Sequence, residues 1–478
     1  MFNESITNEI SRILANFRPC FSRTNAFSWF VIVIFGLIVR FDHNGVTSFI
    51  RWFGLVPSHY TALLHFFRAD SWSLGQLLEY WLHVILANCP LITVDDRLVA
   101  IIDATKVISE GFKTPGVKKL HQESDNSAKP EYMFGHEFGC IGLLIGGITK
   151  MFCIPAMMWL QQGEGIDMLT KSDVPLNIIS LTVLKVEQLV KGLAGKSILL
   201  VVDAYYAVGT FLAPVGKIVD KNGRRSVHVI TRARPSYTAT MDLEPYCGRG
   251  RPRKYGKTVK LRDVFRTYSE QFQTAKLRLY GKLETISYFV MDLYWKPAQS
   301  KIRFVFVLGL GKLGKPLILM STDLTLQPLD IITAYSYRFK IETLFNVLKN
   351  VIGAFDYHFW TSAWPKLQRT SKVQAELPKD PHSLMLIKQA YEAIEAFVNF
   401  SCIAVGILQI IALNFQQTVW QCFRGWLRTF SSEVPSEETV QSVVREEYIF
   451  RKFRRSLISQ IITSKKRKNT SRTPDLSA

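Results

Sequence analysis

Two apolar runs, each stopping at an aspartate, constrain this chain more than any other feature. Leu98-Val-Ala-Ile-Ile ends at Asp103, and Ile198-Leu-Leu-Val-Val ends at Asp203. A short, continuous apolar run is the pattern of a strand buried on both faces, inside a sheet that helices cover from both sides. The carboxy ends of such strands are where open α/β sheets place their sites. Between the two lie a polar loop with Lys113, Lys118, Lys119 and Lys129, strand-like stretches at Phe138 to Gly146 and Lys150 to Ile154, and helical spacing from Asn177 to Leu193. A short helix near Tyr206 to Leu212 and a strand at Val227 to Arg232 complete a β-β-β-α-β-α-β order. Asp95 and Asp96 precede the first run, at the wrong end for a site, and read as a turn; His136 and Glu137 read as core or surface positions.

The rest of the chain divides around this pattern. Residues 1–92 read as an all-helical, DNA-binding region. Within it Val46 to Phe53, Gly54 and Tyr60 to Phe67 have the outline of a helix–turn–helix, an outline that any two amphipathic helices joined at a glycine share. Residues 93–232 form the first part of an α/β core. Residues 233–325 interrupt it with alternating apolar and aromatic runs, a β-rich insertion that begins with the basic stretch Gly248-Arg-Gly-Arg-Pro-Arg-Lys-Tyr-Gly256. Residues 326–415 resume the core with helices, and 416–478 are a C-terminal helical segment with a basic tail.

Composition narrows the partners. Of 478 residues, 59 are Lys or Arg and 39 Asp or Glu, a net charge of +20, which favours nucleic acid over other partners. The seven cysteines are scattered without a C-x-x-C pair, which argues against a disulfide framework or structural zinc and for a reducing, cytoplasmic setting. The mean hydropathy of +0.10 raises the question of a membrane. Ala26 to Val39 is closed by Arg40 before reaching the roughly 20 residues that a span needs, and Phe397 to Leu413 carries Asn399, Ser401 and Gln409. Both read as core helices.

The stretch that carries chemistry is Tyr335-Ser-Tyr-Arg338-Phe-Lys-Ile-Glu342-Thr-Leu-Phe-Asn-Val-Leu-Lys349. On one continuous helix from Pro328 to Asn350, at about 100° per residue, Tyr335, Arg338, Glu342 and Lys349 fall within about 60° of one another. Ile341, Leu344, Phe345 and Leu348 form the adjacent packing flank. The spacing Y-x2-R-x3-E-x6-K resembles the YREK signature of the IS4-type group of DDE transposases, in its IS4/IS701-like sets, with every position matched. The resemblance extends over roughly residues 95 to 355. It implies an RNase H-like catalytic core in which Asp103, Asp203 and Glu342 are the catalytic, metal-holding carboxylates.

The chemistry supplies its own reason for these residue types. Breaking a DNA phosphodiester calls for an activated water and a stabilised pentavalent phosphorane. Two Mg2+ ions (or Mn2+) about 4 Å apart provide both, and hard cations want carboxylate oxygens. Arg338 and Lys349 suit phosphate contacts, and Tyr335 a phosphate or base-edge contact. Arg249 and Arg251 match the core of an AT-hook that lies along the minor groove, or belong to a basic loop on the DNA backbone. Trp295 is a candidate for stacking on an extruded base, against a core position in the β-rich segment. Gly309 to Lys315 begins like a phosphate loop, but Pro316 replaces the hydroxyl residue and a strand follows, so ATP is not expected. The resemblance implies cut-and-paste transposition: binding of terminal inverted repeats as a homodimer, cleavage, and joining of 3′-OH ends to target DNA. The alternatives are a nuclease of the same fold that does not join ends, a domesticated DNA-binding protein without catalysis, and a membrane protein.

Overall fold

The computed structural model describes residues 6–109, 111–121, 131–147, 150–161, 177–193, 195–220, 222–243, 254–309, 314–366, 377–427, 433–450 and 456–467. The chain opens with α1 (Ile6–Ala15), α2 (Thr24–Val39), α3 (Thr47–Phe53), α4 (His59–Phe66) and α5 (Leu74–Asn88). α2 has no polar face, and every residue from Trp29 to Val39 is buried, as a helix apolar on all sides must be. Gly54, at φ 59°, caps α3 in the left-handed region and turns the chain toward α4. α4 exposes Tyr60, Thr61 and His65 and carries no Lys or Arg, while Arg51 on α3 is paired with Asp42 at 2.8 Å. The exposed Arg68 follows just beyond α4.

Next come β1 (Thr93–Val94), β2 (Arg97–Ile108), β3 (Lys118–His121), β4 (Tyr132–Gly146), β5 (Met151–Leu160), α6 (Ile178–Gly192), β6 (Ile198–Val202), α7 (Gly209–Val215) and β7 (Val227–Arg232). Asp95 and Asp96, at φ 48° and 60°, form the two-residue turn between β1 and β2, where paired positive φ matches the strand twist. Five strands lie side by side in the order β5-β4-β2-β6-β7. β4 runs antiparallel to β2 and β5; β6 runs parallel to β2 and β7. Both apolar runs are thus central strands, and β6 is buried at every position and stops just before Asp203. β2, however, does not end at Asp103 as expected, because its pairing with β4 carries it on to Ile108 after the pairing with β6 stops at Ile102.

The segment that follows holds β8 (Thr238–Thr240), β9 (Thr258–Lys260), α8 (Leu261–Thr267), β10 (Gln273–Leu279), β11 (Lys282–Trp295), β12 (Ser300–Leu308) and β13 (Leu317–Ser321). It forms no separate sheet. β13 pairs antiparallel with β7, β12 with β13 and β11 with β12, so the core sheet simply continues. This pairing covers the edge that β7 would otherwise expose.

The chain then returns through α9 (Pro328–Ser336), α10 (Phe339–Val347), a π-helical turn at Leu348–Ile352, α11 (Pro381–Asn414), α12 (Gln416–Cys422), α13 (Glu437–Ile449) and α14 (Leu457–Arg467). Among the described residues α11 is the one helix long and apolar enough to cross a membrane, and 94% of its apolar window is buried inside the protein. Its polar residues explain that placement. Asn399 accepts from Met158 N at 2.9 Å and donates to Met158 O at 2.8 Å. Glu395 accepts from Leu160 N, Tyr391 donates to Leu160 O, and Gln409 donates to Cys153 O. α11 thus satisfies backbone groups of β5 in place of another strand. At the far side, Glu447 of α13 accepts from Ile6 N, Thr7 N and Thr7 Oγ1 at 2.7 to 3.1 Å. It caps the start of α1, where a carboxylate also meets the positive end of the helix dipole. The first and last helices therefore pack together around α2 and α11.

Candidate active site

Ile102 and Val202 are register partners in the parallel pair β2–β6, so Asp103 and Asp203 follow on adjacent strands with Cα atoms about 5 Å apart. Asp203 starts a short 3-10 turn; its carbonyl accepts from Thr231 Oγ1 and Tyr206 N, and its carboxylate makes no capping bond. Asp103 is more enclosed, with its side chain 22% exposed. Its Oδ1 accepts from Ala104 N at 2.8 Å and its Oδ2 from Arg338 Nη1 at 2.7 Å. Burial pushes its carboxyl up to about 6 although Arg338 pulls it down, and Asp203 and Glu342 add to the rise. A carboxylate raised by burial and by like charges is a pattern that clusters at functional sites.

The signature stretch is not the single helix that its spacing predicts. α9 ends at Ser336 and α10 begins at Phe339. Tyr337 N bonds to Ala334 O and Arg338 N to Tyr335 O, both i to i+3, while Ser336 Oγ donates to Thr333 O at 2.7 Å. Hydroxyl bonding back to a helix carbonyl competes with the ordinary ladder and tightens the turn. Tyr335 thus closes α9 and is 9% exposed, with its phenol pushed up by burial. Arg338 caps α10, and Glu342, one turn on, accepts from Arg338 Nη2 at 3.0 Å. Lys349 sits on the π-turn and donates to Lys106 O at 3.2 Å.

Arg40, which ends the apolar run of α2, supports the segment beyond α10, and the sequence gives no sign of this. It is 1% exposed, donates to Gly45 O, Ile352 O and Gly353 O, and lies against the rings of Phe49 and Phe397. It holds the carbonyls beyond α10, while Gln441 holds Val351 O. Burial lowers its pKa to about 10. A second residue without a local signal is Tyr280. It occupies the β10–β11 turn at φ 52°, with its ring 5.7 Å from Phe339, and its phenol is pushed up by burial and by Glu342 against Arg338. A Tyr-Gly pair between two strands marks a hairpin, but nothing in it says where the hairpin points.

Arg338 joins Asp103 and Glu342 through its two ion pairs, Asp203 follows Asp103 on the adjacent strand, and Tyr335 closes the helix just before Arg338. Trp295 does not join them. It is 3% exposed and stacked on Tyr237 at 5.4 Å, and Tyr237 Oη donates to Ala207 O, behind the turn that follows Asp203. A ring so enclosed has no free face for a base. Arg249 and Arg251 lie outside the described residues. His136 is fully buried between Tyr357 Oη and Pro115 O. After the glycine stretch, of which residues 310–313 lie outside the described ones, β13 follows and no helix begins.

Three carboxylates are the right donors for Mg2+ or Mn2+, and two of them stand side by side. Among the described residues, however, no three acidic, His or Cys side chains gather closely enough to form a ready metal cluster. The expected cage is not closed by Glu342, which is 59% exposed. The physical reason is Arg338, whose guanidinium lies between Asp103 and Glu342 and supplies the positive charge that both require. The residues fit divalent ions in type, with Arg338 held where cation charge is needed.

Residues 16–130 match the family model described as DDE superfamily endonuclease. The match includes Asp103 and ends before Asp203 and Glu342. It supports a DDE transposase-like family, and with it a nuclease or transposase type of activity for which DNA is the substrate. The mixed α/β architecture with its large mixed sheet is consistent with a DDE nuclease fold, and nucleases of this type generally use divalent metals. No curated protein matches this chain.

Proposed function

We propose that this chain is a DDE transposase of the IS4-type, YREK-bearing group, with an RNase H-like core, that cleaves DNA at transposon ends and joins the freed 3′-OH groups to target DNA. One observation carries the reading. The guanidinium of Arg338 bonds Asp103 within β2 and Glu342 on α10 at once, beside Asp203 at the end of β6. Nothing in ordinary fold packing asks for two acids side by side on adjacent central strands with an arginine and a third acid brought against them from a helix.

Asp103, Asp203 and Glu342 would hold the divalent ions, Mg2+ or Mn2+, which supply an activated water and relieve charge on the phosphorane and the leaving oxygen. The chain's own part is placement. Asp103, whose carboxyl burial raises, would serve as a ligand in its ionised form. Arg338 has two donor edges, and the edge turned to Glu342, the more exposed acid, suits a phosphate oxygen in a bidentate contact. Lys349 lies one helical segment further and serves the backbone next to it. Tyr335, enclosed under Arg338, orients that guanidinium. Terminal inverted repeats would be held by a homodimer, so that both ends meet, in a cytoplasmic, nucleoid-associated setting.

The test uses the full chain and DNA carrying the inverted repeats that flank its reading frame. Mg2+-dependent cleavage at the repeat ends, and joining of pre-cleaved ends to a plasmid, are expected. Asp203→Asn should abolish cleavage while end binding persists. Cleavage without joining would favour a nuclease of the same fold; binding without either would leave only a non-catalytic DNA-binding protein.

A further inference from the structure

The hairpin β10–β11 turns on two residues, Tyr280 and Gly281, at φ 52° and 79°. Positive φ at both positions is the type I′ pattern, which favours Asn, Asp or Gly at the first. The β1–β2 turn follows that preference with Asp95 and Asp96. Tyr280 does not. Among the described residues it is the one aromatic at positive φ, a placement disfavoured for a bulky side chain and kept only where the surroundings impose it. Burial alone does not explain it, since Tyr280 remains 49% exposed.

The tip of this hairpin reaches the junction of two helices. β10 packs along α9, and the ring of Tyr280 lies 5.7 Å from that of Phe339, tilted by 54°. Phe339 opens α10 and directly follows Arg338. α9 ends at Ser336, so the direction of the first turn of α10 is not inherited from a continuous helix. Burial raises the Tyr280 phenol, and Arg338 and Glu342 act on it with opposite signs.

We infer that Tyr280 is a positioning residue for the acidic site: the hairpin tip seats Phe339 and so fixes the start of α10, from which Arg338 and Glu342 are aimed toward Asp103. The inference rests on the proposed cleavage at that site. A tilted ring pair has a preferred geometry, and a displacement of about 1 Å at reacting groups slows a reaction by up to about 100-fold. The ring acts rather than the hydroxyl, and it acts through Phe339 rather than on DNA.

The experiment measures three quantities on the full chain: single-turnover cleavage, with Mg2+, of a duplex carrying the flanking inverted repeat, affinity for that duplex in EDTA, and the urea midpoint. Tyr280→Asn suits the turn better, so its urea midpoint should match or exceed the wild-type value. Its cleavage rate should nevertheless fall about tenfold at unchanged duplex affinity. Tyr280→Phe, which restores the ring, should recover most of the rate. If Tyr280→Asn does not fold, Phe339→Leu removes the same ring pair from the helix side and should show the same fall. A wild-type rate in folded Tyr280→Asn overturns the inference and leaves the cleavage reading intact, as does a rate that falls only together with the urea midpoint. Weaker duplex binding would make Tyr280 a DNA contact, and an equal loss in Tyr280→Phe would assign the effect to the hydroxyl; either overturns the inference. Absence of cleavage by the wild-type chain overturns the cleavage reading and the inference with it.

Discussion

Replacing Asp103 by asparagine removes one negative charge from a place where burial and two further acids already penalise it. The native carboxyl stands at about 6 against an ordinary 3.8, so its ionisation costs the folded state about 3 kcal/mol on the order-of-magnitude scale of linked proton binding. The sign follows from the native value being the higher one. The folded protein holds this proton more tightly than the unfolded chain, so the contribution to stability is complete below about pH 4. It is lost as pH rises through about 6. The amide introduced by Asp103→Asn mimics the protonated state at every pH. The variant should therefore match the wild type near pH 4 and exceed it by about 3 kcal/mol at pH 8. Urea unfolding followed by tryptophan fluorescence, in EDTA at several pH values, gives the comparison. Mg2+ should narrow the gap at pH 8, because ligand binding stabilises only the protein that retains the donor. A variant less stable than wild type at pH 8 would refute the reasoning, since it would mean that the Arg338 pair outweighs burial.

Three further outcomes follow from other contacts. Arg338→Gln frees Asp103 and Glu342 from one charge-assisted pair each; in DNA-free protein, Mn2+ binding by calorimetry should tighten about tenfold, the equivalent of about 1.4 kcal/mol. Unchanged or weaker Mn2+ affinity would count against competition between the guanidinium and the metal. Arg40→Met leaves the carbonyls of Gly45, Ile352 and Gly353 without their donor and should lower unfolding stability by about 3 kcal/mol, read as a lower urea midpoint. Asn399→Leu strips Met158 of both partners on the outer side of β5. A loss of about 2–4 kcal/mol is expected, together with faster amide exchange at Met158.

Much of the core was legible because its signals are local. A continuous apolar run ending in Asp reads as a central strand wherever it occurs, and the five core strands follow the succession that the pattern implies. The polar residues of α11 were legible only as arguments against a membrane; that they pair with β5 needed the packed structure. The signature spacing placed Arg338 and Glu342 one turn apart, yet the hydroxyl of Ser336 broke the helix through a bond that no periodicity encodes. Trp295 illustrates the opposite case, since an aromatic in a β-rich stretch gives no hint of whether its ring is free. Arg40 was invisible because an arginine closing an apolar run usually reaches water, and this one is roofed by two phenylalanines.

By itself the sequence determined which strands are central and that an arginine and a glutamate share one helical turn, since these depend on side-chain periodicity over a few residues; it did not show that β2 runs on past Asp103. Tertiary structure alone decided that Arg338 reaches Asp103, 235 positions away in the chain, and that β13 extends the sheet at β7. Such pairings are fixed by which surfaces exclude water together, and that depends on the whole chain at once.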